Sequence, residues 1–140
     1  MSDLNAGRPA LDDPRRLREM LTRATGLAAE HSLTSVLVGV TGFEGDLLFP
    51  EVLNFIESSM RMDDLVFRMT RERAVLLLTD VDERQAQSVM RRLLEDFRGH
   101  FPVTKDPTIA LAYFEVSDPT PPPTAKDVLP CLFERTPKAH

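Results

Sequence analysis

Two short apolar segments lie almost back to back near the middle of the chain, and they constrain its fold more than any other feature. Residues 65–69 and 74–78 are rich in Val, Leu and Phe, and only the charged residues 70–73 separate them. Such a pair predicts a β-hairpin. On each side of the hairpin the sequence continues as a helix-spaced apolar stripe and then as a further strand-like segment, at 35–41 and at 108–114.

Two predicted helices, one on each side of the hairpin, complete the order of secondary-structure elements. The two flanking helices are predicted at about residues 47–60 and from Asp82 onward, where Asp82 and Gln85 form a capping box. The resulting order, β-α-β-β-α-β, is the split βαβ arrangement of ferredoxin-like folds. Both crossover helices of such a unit should pack on the same face of the sheet.

Two further helices are predicted outside this unit. One begins after Asp13 and Pro14, and a short one near 124–135 follows a proline-rich segment. The sequence therefore predicts an α+β domain whose sheet is backed by helices, with an added N-terminal helix and a short C-terminal helix. We expect residues 1–11 to be a flexible N-terminal lead and 12–140 to be a single domain, because 140 residues support one core.

The amino-acid composition restricts the cellular location and the binding partners that we expect for this protein. The net charge of −5 argues against nucleic acids and anionic membrane surfaces as partners, since both require a basic field. No apolar run approaches the roughly 20 residues of a membrane helix. The polar N-terminus does not resemble a secretory signal, and a single cysteine, Cys131, excludes an intramolecular disulfide. A cytoplasmic protein is expected.

A charged motif stands immediately before the hairpin. Arg61-Met62-Asp63-Asp64 reads R-x-x-D, and five residues separate it from positions 70–74. In this placement the stretch from residue 60 to 82 resembles the central segment of GGDEF domains, the bacterial diguanylate cyclases that make cyclic di-GMP. The resemblance extends more weakly over about residues 13–118, and it implies a bacterial signal-transduction domain.

The five-residue signature of that family is altered here. Positions 70–74 read Thr-Arg-Glu-Arg-Ala, so Thr70 and Arg71 replace the paired glycines that let a nucleotide phosphate approach the backbone. Glu72 keeps the acidic third position. The first-strand aspartate that would share a magnesium ion with it falls at Gly39.

The loop after the first strand is altered as well. In the family it carries an Asn that contacts guanine, whereas here only Glu44 separates Phe43 from Gly45. Asp46 matches the family's other guanine contact, but its position favours a role as a helix cap. Together these departures imply a degenerate domain that is not an enzyme, with no catalytic residues, no metal ion and no cofactor.

The R-x-x-D motif itself is retained. In the family it forms an inhibitory product-binding site away from the catalytic face, and a second arginine from the next helix assists. The resemblance therefore implies a cyclic di-GMP site made of Arg61 and Asp64, with Arg92 assisting and Arg91 beside it. A guanidinium offers forked donors to phosphate or guanine, and a carboxylate complements the N1 and N2 donors of guanine.

Two other interpretations stay open. Arg61 and Asp64 could simply form an i, i+3 surface ion pair near a helix end. The protein would then be a ligand-independent module that binds an unknown protein partner or forms a homodimer. Residual nucleotide processing would need a second carboxylate beside Glu72, which the sequence does not offer.

Overall fold

The described part of the chain forms four strands and four helices in the predicted order. The computed structural model describes residues 11–43, 45–100 and 108–134, so the predicted flexible lead lies outside the described residues except for Leu11. The strands are β1 (Ser35–Thr41), β2 (Leu65–Thr70), β3 (Arg73–Thr79) and β4 (Ala110–Val116). The helices are α1 (Arg15–His31), α2 (Phe49–Ser58), α3 (Glu83–His100) and α4 (Ala125–Leu129), the last of which continues into a π-helical turn, Pro130–Glu134.

The strands make one antiparallel sheet in the order β2-β3-β1-β4. In the centre of the sheet, Val38 lies opposite Leu76 on one side and opposite Tyr113 on the other. This is the strand order of a ferredoxin-like unit, and it confirms the predicted α+β fold. The run Ser35–Val40 is buried throughout because β1 has neighbouring strands on both edges and helices on both faces.

Helices α2 and α3 cover one face of the sheet, as predicted. Val36, Val38 and Val40 point to this face and share a core with the apolar sides of both helices. The rings of Phe55 on α2 and Phe97 on α3 meet edge to face with centroids 5.7 Å apart. This geometry suits the quadrupoles of two aromatic rings and holds the helices side by side.

Helix α1 and the C-terminal segment cover the opposite face. Leu37 packs there together with Leu132 and Phe133. At Gly39 the approach is closer still, because a Cβ atom on that residue would lie 2.8 Å from Cβ of Leu132 and 3.0 Å from its carbonyl oxygen. The C-terminal segment therefore rests directly on the backbone of β1, and glycine permits that contact.

The outer edge of β2 is covered by residues from the beginning of the described chain. Asp12 donates its backbone N–H to the Arg68 carbonyl at 3.0 Å, and the Asp12 carboxylate accepts the Arg68 N–H at 2.8 Å. Arg16 Nε donates to the Val66 carbonyl at 2.8 Å. These contacts use peptide groups of β2 that face away from β3.

Helix caps account for most of the observed boundaries. Gln85 donates its N–H to Asp82 at 2.8 Å and accepts the Asp82 N–H at 2.9 Å, which confirms the capping box of α3. The Asp46 carboxylate accepts the N–H groups of Leu48 and Phe49, so α2 begins at Phe49 rather than near residue 47.

The last strand is displaced by two residues from its predicted position. It spans Ala110–Val116 instead of 108–114, because Val116 is buried and pairs with Ser35, the first residue of β1. The charged residue Glu115 interrupts the apolar pattern, and the sequence therefore predicted that the strand ends before it. Its carboxylate accepts the Glu83 N–H at 2.9 Å, so a charge within this strand has a local partner.

We expect Gly39→Ala to lower the free energy of unfolding by about 1–3 kcal/mol, because the added methyl group would overlap Leu132 in a packed core. Urea denaturation followed by circular dichroism measures this difference. Gly26→Ala is the matched control, since a Cβ there meets nothing within 4 Å in α1. That change should stabilise the protein by about 0.5–1 kcal/mol. Equal stability of Gly39→Ala and wild type would contradict the packing of Leu132 on β1.

Candidate functional site

The R-x-x-D residues form a compact turn between α2 and β2, called here the R-x-x-D turn (residues 61–64). The Asp64 N–H donates to the Arg61 carbonyl at 3.0 Å. In the opposite direction, the Arg61 N–H donates to the Asp64 carboxylate at 3.1 Å. The spacing of the motif therefore allows one aspartate to close the turn on its own arginine.

The same aspartate ties the turn to the end of β3. Oδ1 of Asp64 accepts hydrogen bonds from the Thr79 backbone N–H at 3.0 Å and from the Thr79 hydroxyl at 3.2 Å. The Asp64 side chain is 4% exposed. A buried carboxylate is stable when donors surround it, and here the donors come from both the turn and the sheet.

The guanidinium of Arg61 is bonded to the protein on one side and exposed to solvent on the other. Its Nε lies 3.5 Å from Oδ2 of Asp64, and its Nη2 donates to the Thr79 carbonyl. The side chain is nevertheless 57% exposed. A guanidinium has five N–H donors, so several remain available to an external anion while the plane of the group stays fixed.

The turn borders a surface groove of about 410 Å³, called here the R-x-x-D groove. It lies on the side of the sheet that α2 and α3 cover. Its lining residues are Ser59, Met60, Arg61, Asp64, Leu78, Val81, Val89, Arg92, Leu93 and Asp96. The structure thus brings together three of the four residues that the sequence singled out.

Arg91, the fourth residue, does not line this groove. Its Nη2 donates to the Ser88 hydroxyl at 3.4 Å, and its side chain lies near the phenol of Tyr113 on β4. Burial raises the pKa of Tyr113 and the negative charge of Glu83 raises it further, whereas the positive charge of Arg91 partly offsets both effects. Because successive helical residues point in different directions, only one of the adjacent arginines faces the groove.

Sequence reasoning missed Asp96. It lies on α3 four residues after Arg92, so the two side chains share one face of that helix. The i, i+4 spacing was a signal that could have identified it. Sequence reasoning also missed Arg23 on α1, whose guanidinium lies 3.3 Å from Asp63 on the other side of the R-x-x-D turn.

The altered signature lies at the opposite end of the sheet. Arg71 and Glu72 make the two-residue turn of the hairpin, and the Glu72 carbonyl accepts the Gly42 N–H at 2.8 Å. The Glu72 carboxylate accepts the Gly45 N–H at 3.2 Å. Glu72 therefore joins the hairpin turn to the loop between β1 and α2.

The donor set does not fit a magnesium ion held between two carboxylates. Gly39 offers no oxygen ligand from a side chain, and Leu132 fills the space where such a side chain would begin. In residues 11–43, 45–100 and 108–134, no three His, Cys, Asp or Glu side chains are grouped so as to hold a metal ion. Asp46, at 7% exposure, is engaged as the cap of α2.

None of the helices in the described ranges combines the length and the apolar character that a membrane-crossing helix needs.

Solved structures with the same architecture include GGDEF domains. The FimX GGDEF domain from Pseudomonas aeruginosa superposes with a TM-score of 0.67 at 14% identity, covering 90% of this chain and 86% of that one. PelD from Pseudomonas aeruginosa PAO1 gives 0.63 at 23% identity, covering 89% of this chain and 46% of PelD. The diguanylate cyclase SiaD, solved in complex with its activator SiaC from Pseudomonas aeruginosa, gives 0.58 at 22% identity over 81% and 52%.

These likenesses define the class of protein as an α+β domain with the fold of the GGDEF domains. Residues 42–118, more than half of the chain, match the family described as diguanylate cyclase, GGDEF domain. The chain belongs to this family, as its R-x-x-D stretch had indicated. No curated protein matches the sequence significantly.

We expect Asp64→Asn to lower the free energy of unfolding by about 1–3 kcal/mol, because an amide cannot accept hydrogen bonds at both of its ends. Asp63→Asn is a matched control at the neighbouring position. The Asp63 side chain is 72% exposed, and its ion pair with Arg23 contributes less than about 1 kcal/mol. Chemical denaturation of both variants measures the difference. Equal losses at the two positions would show that the buried contacts of Asp64 do not stabilise the fold.

Proposed function

We propose that this GGDEF domain is catalytically inactive and binds cyclic di-GMP in the R-x-x-D groove, as a receptor or adaptor in a cytoplasmic signalling system. The observation that carries the proposal is that Arg61 from the R-x-x-D turn and Arg92 from α3 line one groove, although 31 positions separate them in the sequence. Two arginines facing a shared groove suit a ligand with two phosphates.

The rest of the groove supports a purine ligand. Apolar side chains of Leu78, Val81 and Val89 line the groove beside its polar groups and offer a surface for the face of a base. A volume of about 410 Å³ is in the range of small-molecule sites, which run from roughly 300 to 1,000 Å³. The groove is therefore suited to one guanine with its attached phosphate.

Within this proposal the two residues of the motif have different tasks. Arg61 presents free donors to the ligand, and Asp64 fixes the plane of Arg61 and the position of the turn. The hydrogen bonds of Asp64 favour this orienting role over the direct guanine contact that the family resemblance implies. Arg92 assists from α3, and the position of Arg91 near Tyr113 favours no part for it in binding.

Inactivity is supported by two features, the altered hairpin and the missing first-strand carboxylate. The hairpin carries Thr70 and Arg71 where backbone approach by a phosphate requires glycine. Gly39 provides no carboxylate, and its surroundings are filled by Leu132. Glu72 is left without the second carboxylate that a shared magnesium ion requires.

One observation favours a second candidate, the ligand-independent interaction module. A groove of about 730 Å³ runs between α1 and the proline-rich segment before α4, and apart from Arg18 and Lys126 its lining is mostly apolar or uncharged. Such a surface suits an apolar segment of a protein partner or of a second copy of the chain. Sedimentation of wild type and of Thr25→Glu, which places a charge in that groove, would distinguish a homodimer from a monomer.

We expect cyclic di-GMP to bind the wild-type protein, and Arg61→Ala to weaken binding about ten- to a hundred-fold, because a hydrogen bond to a charged group contributes roughly 1.5–3 kcal/mol. Isothermal titration calorimetry gives both dissociation constants. Added salt should weaken binding, since phosphates are neutralised on association.

Arg91→Ala is the matched control for that titration, because it also removes one arginine charge, but from a position on α3 that does not line the groove. It should leave the affinity within about threefold of wild type, which corresponds to less than 1 kcal/mol. Absence of binding by wild-type protein well above micromolar ligand would refute the receptor function and leave the interaction module.

We expect the purified protein to make no cyclic di-GMP from GTP and magnesium, because the glycine pair and the first-strand carboxylate are both missing. Chromatography of the reaction mixture against a blank without protein measures this. Product above the blank that disappears in Glu72→Ala would show that the hairpin is catalytic.

A further inference from the structure

Both carboxylate oxygens of Asp64 already accept hydrogen bonds from within the protein. Its two oxygens have four contacts, with the N–H and Nε of Arg61 and with the N–H and hydroxyl of Thr79. An ionised carboxylate has about four lone-pair sites in all. Releasing the Thr79 groups to meet a ligand would leave a buried backbone donor unpaired, which is costly.

A second carboxylate in the groove is available. Asp96 lines the same groove from α3, and its backbone carbonyl is the atom that His100 Nδ1 approaches, at 3.0 Å. Among the described residues no donor contacts the Asp96 carboxylate, and the residue is exposed. Its oxygens can therefore accept hydrogen bonds from a bound molecule.

The residues around Asp96 indicate which chemical class of molecule would bind there. Arg92, one helical turn away, supplies donors for a phosphate or for the N7 atom of a purine. The intervening floor, with Val89 and Leu93, is apolar. A guanine lying on this floor carries N1–H and N2–H donors on one edge, and a carboxylate with two free oxygens complements that edge.

From this arrangement we propose that Asp96, and not Asp64, is the carboxylate that recognises guanine in the R-x-x-D groove. The inference rests on the proposed binding of cyclic di-GMP and names the residue that sets its base specificity. Adenine has no N1–H, so Asp96 discriminates cyclic di-GMP from cyclic di-AMP, whereas Arg61 and Arg92 contact features that both ligands share.

The direction in which Asp96→Asn changes the affinity distinguishes hydrogen bonding to guanine from electrostatic repulsion of the phosphates. If Asp96 only repelled the phosphates, its neutralisation would tighten binding of both cyclic dinucleotides. If Asp96 accepts hydrogen bonds from guanine, Asp96→Asn replaces an acceptor by a donor and weakens cyclic di-GMP alone. We expect a loss of about ten- to a hundred-fold for cyclic di-GMP.

The test is a calorimetric titration of wild type, Asp96→Asn and Glu95→Gln with cyclic di-GMP and with cyclic di-AMP. Glu95 is an exposed neighbour on α3 outside the groove lining, so Glu95→Gln makes the same change of net charge without removing the acceptor. It should keep the wild-type preference for cyclic di-GMP. Thermal melts confirm that each variant is folded.

Each outcome is decisive. A reduced preference for cyclic di-GMP in Asp96→Asn, with cyclic di-AMP binding unchanged, supports the proposal. Wild-type affinity or tighter binding of cyclic di-GMP by Asp96→Asn overturns it while the receptor function stands. Absence of binding by the wild-type protein overturns both.

Discussion

The central strand β1 holds this structure together because it is hydrogen-bonded on both edges and covered on both faces. Its residues Ser35–Val40 are buried, and alternate side chains enter two separate cores, one beneath α2 and α3 and the other beneath α1 and the C-terminal segment. Burial of a Val or Leu side chain contributes roughly 1.5–3 kcal/mol, so one strand links two layers that are not in direct contact. Close packing at Gly39 is part of the same constraint.

The two ends of β1 also mark opposite ends of the sheet, and different functional side chains lie at each end. At one end Ser35 pairs with Thr79, whose backbone and hydroxyl hold Asp64 and whose carbonyl holds Arg61. At the other end Thr41 pairs with Arg73 beside the altered hairpin. Seven paired residues at about 3.4 Å each set these ends roughly 20 Å apart. The altered hairpin at one end therefore lies far from the R-x-x-D turn at the other.

Features with a local cause were predictable from the sequence, and features that depend on distant contacts were not. The capping box of Asp82 and Gln85, strand β1 and the hairpin all follow from neighbouring residues or from short continuous apolar segments. The resemblance to the GGDEF family likewise led to Arg61 and Arg92, which line one groove. Nothing local to Asp64 indicates that Thr79, fifteen residues later, uses its acceptors. The contact of Leu132 with Gly39 joins residues 93 positions apart, so the sequence indicated a missing carboxylate but not the side chain that takes its place.

The covered edge of β2 has a consequence for how copies of this chain can associate. An edge strand normally presents free N–H and C=O groups and serves as a template for another chain, which is a route to aggregation. Here Asp12 and Arg16 occupy the outward peptide groups of Val66 and Arg68. Strand addition on this side would first require α1 and the residues before it to detach. Growth of the sheet from one molecule to the next is thereby confined to the β4 side.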